Sequence, residues 1–358
     1  MRTGTFATAF AVASSFVAGL ASATAPPDTA RALSDTGLFA PGSNEAVAAD
    51  VRSFTPQYPL WSDGATKRRW MRLPPGGAID ATRTAAWVFP VGTRFWKEFS
   101  VGGRRVETRM IERLPDGEWR FVAYAWNDAQ TEATLAPAEG MRLSLADGAR
   151  YTIPSEADCR ACHAGAASPI LGFTALQLSA DRDPLAPHAE PWRPGDLELR
   201  ALAQSGGLVN LPQALLETPP RIKAPTSAGR AVLGYLNANC GHCHADPNLA
   251  GAAVPVELQL AIDPADPLAG ERVVRTLLES VSRYRPAGTT EARLIVPGNA
   301  KAGTLLTRIR SRDPRVQMPP LGTAKPDLEA IALIERWIEQ DLNTSMSTPT
   351  NTPGERTP

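Results

Sequence analysis

The chain has four cysteines in 358 residues, and one spacing, used twice, takes all of them. The first copy is Cys159-Arg160-Ala161-Cys162-His163 and the second is Cys240-Gly241-His242-Cys243-His244. C-x-x-C-H is the attachment signature of haem c. Two thiols add to the porphyrin vinyl groups as thioethers, and the adjacent imidazole turns under the ring to meet the iron. Cys159, Cys162, Cys240 and Cys243 are therefore the expected anchors of two covalent haem c groups, with His163 and His244 as proximal iron ligands. A thioredoxin-type C-x-x-C needs no following histidine, and the chain has only 4 His. Zinc ribbons space their pairs by roughly 15–20 residues, whereas these pairs stand roughly 80 apart. Two disulfides remain the alternative for an exported chain.

The sixth ligand of the second haem is read from "VQMPPLG". Met318 stands before Pro319-Pro320, a rigid loop able to hold a thioether against iron, just ahead of the last helical pattern. His242, between the two thioether positions, is expected to point outward as a bystander rather than to act at the haem edge or on a partner surface. For the first haem the reading stays open. His188 in "APHAEPW" is the one remaining histidine, more readily a loop residue than a ligand. Met110 and Met141 fall on expected strands and suit a core better than iron. A vacant position is the third option.

Several elements must position these groups. From Leu38 to Pro154 the pattern is that of strands. Phe95 and Phe99 alternate with Arg94, Trp96 and Glu98. Val106, Thr108 and Met110 alternate with Arg105, Glu107 and Arg109. The turn Pro115–Glu118 predicts a hairpin, and Asp147-Gly148 a second that ends just before the first motif. Trp61, Asp63, Trp126, Asn127, Asp128 and Gln130 either line a groove or, as the reading favours, make turn hydrogen bonds. Downstream the period becomes helical. A helix is expected from Asp196 to Gly206-Gly207. Another over "SAGRAVLGYLNANC" places Ala228, Ala231, Val232, Tyr235 and Leu236 on one face. A third covers "KPDLEAIALIERWIEQDL", with Pro326 in its first turn and Asp327 and Glu329 at its positive end.

The resulting organisation is multidomain α+β: an antiparallel β-rich N-terminal domain followed by mainly α-helical haem regions of cytochrome c type. The segments are a signal peptide (1–25), a β-rich module (36–154), a first haem c region (155–217), a cytochrome-like domain (226–342) and a disordered tail (343–358). The signal has Arg2, an apolar run from Phe6 to Leu20 and small-x-small sites, with cleavage preferred after Ala23. No later stretch is apolar enough to span a bilayer. Lys+Arg and Asp+Glu are both 37, so no basic footprint suggests a nucleic-acid partner. A periplasmic or otherwise exported location follows.

Residues 226–342 resemble a class I cytochrome c domain: a helix ending in "CGHCH", the Met318 loop and a final helix with Trp337. That segment is expected to fold alone with one haem. The stretch "VPVELQLAIDPADPLAG" lengthens its middle in a role left unassigned. Over nearly the whole mature chain, "YPLWSDGATKRRW", "FPVGTRFWKEF", "ETRMIER", "AYAWNDAQTEA", "SEADCRACH" and "YLNANCGHCH" resemble a bacterial family of two-haem c-type cytochromes with a β-rich N-terminal module. The resemblance implies haem binding and single-electron transfer with periplasmic redox protein partners, with the β-module as docking platform. The alternative is a peroxidase- or oxygenase-type enzyme with an open first haem. With few strong helices near Cys159, strands of the β-module are expected to cover part of the first haem.

Overall fold

The computed structural model describes residues 29–145, 148–164, 168–245 and 256–343. The signal peptide, Asp147 of the second turn and the tail beyond residue 343 lie outside the described residues.

Strands are β1 (Arg52–Ser53), β2 (Thr66–Arg72), β3 (Ile79–Asp80), β4 (Arg94–Val101), β5 (Arg104–Arg113), β6 (Trp119–Trp126), β7 (Ala133–Leu135), β8 (Met141–Ser144), β9 (Arg150–Ile153) and β10 (Leu208–Val209). Helices are α1 (Glu156–His163), α2 (Leu199–Gln204), α3 (Ala214–Glu217), α4 (Ser227–Asn239), α5 (Ala269–Glu279), α6 (Thr304–Arg310) and α7 (Leu328–Arg336), the last running into a π-turn at Trp337–Asp341. The fold is α+β, with the strands gathered in the N-terminal half.

Six strands form one antiparallel sheet in the order β1-β2-β4-β5-β6-β7. The Asp116-Gly117 turn closes the β5–β6 hairpin, with Gly117 at φ 87°. Neither face is left to water, because the alternation separates two buried faces rather than a wet one and a dry one. On the first face Trp70, Trp96, Met110, Tyr124 and Trp126 pack under Leu33, Leu38, Phe39 and Val51 of the lead-in. On the second, Met71 and Phe95 pack with Phe173, Leu178, Leu199 and Leu202 of the chain after the first motif. Phe173 meets Phe54 and Phe95 at 4.8 and 5.0 Å between ring centroids, edge-on. Such pairs add about 0.5–1.5 kcal/mol each beyond area burial. The segment after the first motif thus shares the sheet's core, and β10 also pairs with β3.

The expected helix at Asp196 begins later, at Leu199. Asp196 is instead bonded to the hydroxyl of Thr55 and the amide of Arg193. In α7 the N-cap is Asp327, whose carboxylate accepts the Ala330 amide, so Pro326 lies before the cap.

The C-terminal helices do not close a core by themselves. Helix α4 is buried almost all round, not along one stripe. Tyr58, Leu176 and Ala186, from earlier segments, belong to its apolar cluster. A Cβ on Gly234 would stand 2.1 Å from Cε1 of Tyr58, so only glycine admits that ring. The Tyr58 hydroxyl donates to Asp183 Oδ2 at 2.9 Å, and Gln57 and Gln177 tie the two segments by reciprocal amide bonds. Arg230 of α4 donates to Gln57 Oε1 and to Asp181 O. Independent folding of 226–342 was the expectation; this interlock argues against it.

Candidate haem site

Ser155 caps α1 with a capping box to Asp158, and the helix carries the first motif at its far end. Cys159 and Cys162 lie in its last turns, where the helix dipole disfavours a thiolate. Burial pushes the Cys162 thiol up to about 11 and the Cys240 thiol up to about 12; it also raises Cys159. A redox or zinc-binding pair needs the opposite shift, because the thiolate is the reactive species. All four cysteines stand free of disulfides. Among the described residues no three His, Cys, Asp or Glu side chains gather as a cage for a bare ion.

His163 is mostly hidden, and its Nδ1 lies 2.5 Å from the carbonyl oxygen of Pro169. A carbonyl only accepts, so Nδ1 carries the proton and the Nε2 lone pair is left bare for a metal. Burial, opposed by that bond, holds the ring down to about 4, so it is neutral at physiological pH. Phe121 of β6 packs on it at 5.3 Å. The sheet therefore does cover the first motif.

The second motif follows α4 as a turn. His244 is part-buried, with Nδ1 buried and lacking a hydrogen bond. Its ring is held below the usual range by burial and then by the charge of Arg308. Arg308 also organises the Met318 loop. Its carbonyl accepts the Met318 amide at 3.0 Å, and its Nε donates to Val316 O at 2.9 Å. One arginine thus adjoins both the expected proximal ligand and the loop of the expected sixth ligand. The lengthened middle gains a role as well. Leu258 donates its amide to His244 O and Leu260 to Asn237 Oδ1, strapping the motif from outside. Gly241 permits this, since a Cβ there would stand 2.6 Å from Asn237 O and 3.1 Å from Leu258 O. Residues 254 and 255 of that stretch lie outside the described residues.

The two motifs lie near each other. Charge on Cys243 acts on Cys162, and charge on His242 acts on His163. Beneath them, on the second sheet face, Arg69, Lys97 and Arg109 stand in one register row. Arg69 pairs with Glu190 at 3.0 Å and Arg109 with Glu107 at 2.7 Å. Among the described residues no carboxylate lies within ion-pairing distance of Lys97, whose amine sits 5.0 Å above the Phe99 ring. Burial and the cations Arg69, Lys67 and Arg109 push its pKa well down.

Other expected residues go elsewhere. Met110 is buried on the opposite sheet face. His188 is gripped at both nitrogens, by Asp327 at 2.7 Å and Glu329 at 3.1 Å, and stacks on Trp61. Met141 is half-buried opposite Ile153 in the β8–β9 hairpin. Asn127 and Gln130 make the turn bonds expected of them. Trp61 and Asp63 instead clasp the C-terminal region. Trp61 bonds Asn239 and the Lys325 carbonyl, and Asp63 accepts the Ala324 and Lys325 amides.

No helix among the described residues is long and apolar enough to cross a membrane. Comparison with known proteins finds no match among curated proteins and none among solved structures. The family Planctomycete cytochrome C matches residues 276–322, from the end of α5 through α6 to the Met318 loop, with neither cysteine motif inside the match. The C-terminal region is therefore of cytochrome c type, the kind that carries covalently attached haem and its iron.

Proposed function

We propose that the protein is an exported dihaem c-type cytochrome passing single electrons between periplasmic redox protein partners. The observation that carries this is His163, whose Nδ1 bond to Pro169 O bares Nε2 beside two protonated thiols. The second motif, with the same spacing, lies near the first and precedes the segment that matches a cytochrome c family. Haem c, when bound, supplies a one-electron iron couple. Cys159 and Cys162 would hold one edge of the first group and His163 its iron. Cys240, Cys243 and His244 would do the same for the second, with Met318 as its further iron ligand.

Intact mass spectrometry of the exported, processed protein tests this reading. Two haem additions are expected, whereas a mass fitting free thiols or two disulfides would sink it. The second reading, a peroxidase- or oxygenase-type enzyme with an open first iron, draws on the withdrawal of Met110 and His188 from the site. Carbon monoxide binding by the reduced protein separates the two: a carrier with both irons six-coordinate binds none.

A further inference from the structure

If the dihaem carrier reading holds, the first haem takes a sixth ligand, and the structure narrows the choice. The chain has 4 His. His163 and His244 are the proximal pair, and carboxylates hold both nitrogens of His188. Of the methionines, Met71 is 2% exposed in the phenylalanine core and Met110 lies across the sheet. Met318 hangs from Arg308 beside the second motif. His242 remains.

Its surroundings fit the part. The ring is half-buried in the turn after α4, and Nδ1 is buried with no hydrogen bond of its own. The carbonyl of Ala238, one turn back, lies beside the ring. Lys97 acts on both His242 and His163, and His242 acts on His163, so both imidazoles lie near the Lys97 side chain above the sheet. The hydrogen bonds agree with this placement. Lys67 of β2 holds Leu60 O, Trp61 follows and bonds Asn239, and Cys240 is next in sequence. The second motif is thereby tied to the β2 side of the face, while His163 sits on Phe121 of β6. In the strand order β2-β4-β5-β6 three spacings separate those strands, about 14 Å.

We infer that His242 supplies the second axial nitrogen to the iron held by Cys159, Cys162 and His163. The stretch Cys240–His244 then serves both haems: its thiols and His244 hold one, and His242 closes the other. Bis-histidine ligation gives the first haem a lower potential than a His/Met second haem. Electrons entering at the first would pass downhill to the second.

Low-temperature EPR and near-infrared magnetic circular dichroism of the full-length oxidised holoprotein test this. Wild type should show one bis-histidine and one His/Met low-spin haem. His242→Gly should still carry two haems by mass but turn one low-spin signal high-spin, and added imidazole should restore it. An unchanged bis-histidine signal in that variant would overturn the inference. So would its absence from wild type, a result that needs no variant to fold. A wild-type mass with fewer than two haems would instead defeat the dihaem reading.

Discussion

Replacing Gly234 by alanine sets two effects of opposite sign against each other. In a helix interior alanine is better than glycine by about 1 kcal/mol. The added methyl, however, would sit 2.1, 2.3 and 2.4 Å from Cε1, Cζ and Cδ1 of Tyr58. That ring has no easy retreat: it is 2% exposed, its hydroxyl is bonded to Asp183 and its amide to Gln177. Overpacking costs about 1–3 kcal/mol, and rigid ring atoms put this case at the upper end. The expected net effect is a loss of about 2 kcal/mol. Urea unfolding of the holoprotein, followed by far-ultraviolet circular dichroism, should show a lower midpoint at unchanged slope. Tyr58→Ala alone should cost about 3–5 kcal/mol by leaving a cavity. In that background Gly234→Ala should become stabilising by about 1 kcal/mol, because the space is vacated. A gain of about 1 kcal/mol in both backgrounds would refute the interlock between the β1–β2 connection and α4.

Residues 226–342 expressed alone should be poorly folded, since they lack Tyr58, Leu176 and Ala186; supplying residues 29–217 in trans should restore helical signal. Met318→His should keep the second haem six-coordinate while lowering its midpoint potential, read by spectroelectrochemical titration, because thioether ligation holds the potential up. His188 has a raised pKa, first through its bond to Asp327, with Glu329 adding and burial and Lys67 opposing. Its contribution is therefore full below the unfolded value of about 6.5 and is lost as pH climbs through the higher folded value. Urea midpoints measured on either side of that window should fall with rising pH in wild type and less so in His188→Gln; equal slopes would show that the clip is not titrating.

Local chemistry was readable from the sequence wherever neighbours in the chain do the work. Each C-x-x-C-H brings its thiols and imidazole together within about one helical turn, so no tertiary contact is needed to recognise it. The β5–β6 hairpin was legible for the same reason: Asp116-Gly117 sets the turn and the period-2 pattern sets the register. Helices α4 and α7 announced themselves by apolar spacing. What lay beyond reach depends on which surfaces meet. Alternation separated Lys97 and Arg109 from Trp96 and Met110, but either face can be the wet one until another element covers it. Trp61 and Asp63 looked like turn residues because their partners, Asn239, Ala324 and Lys325, are far along the chain. His242 reads as a bystander because local spacing gives it no partner. Only the packing of α1 on β6, with α4 fastened through Trp61 and Tyr58, brings the two motifs near each other, and those long-range contacts are encoded by no local pattern.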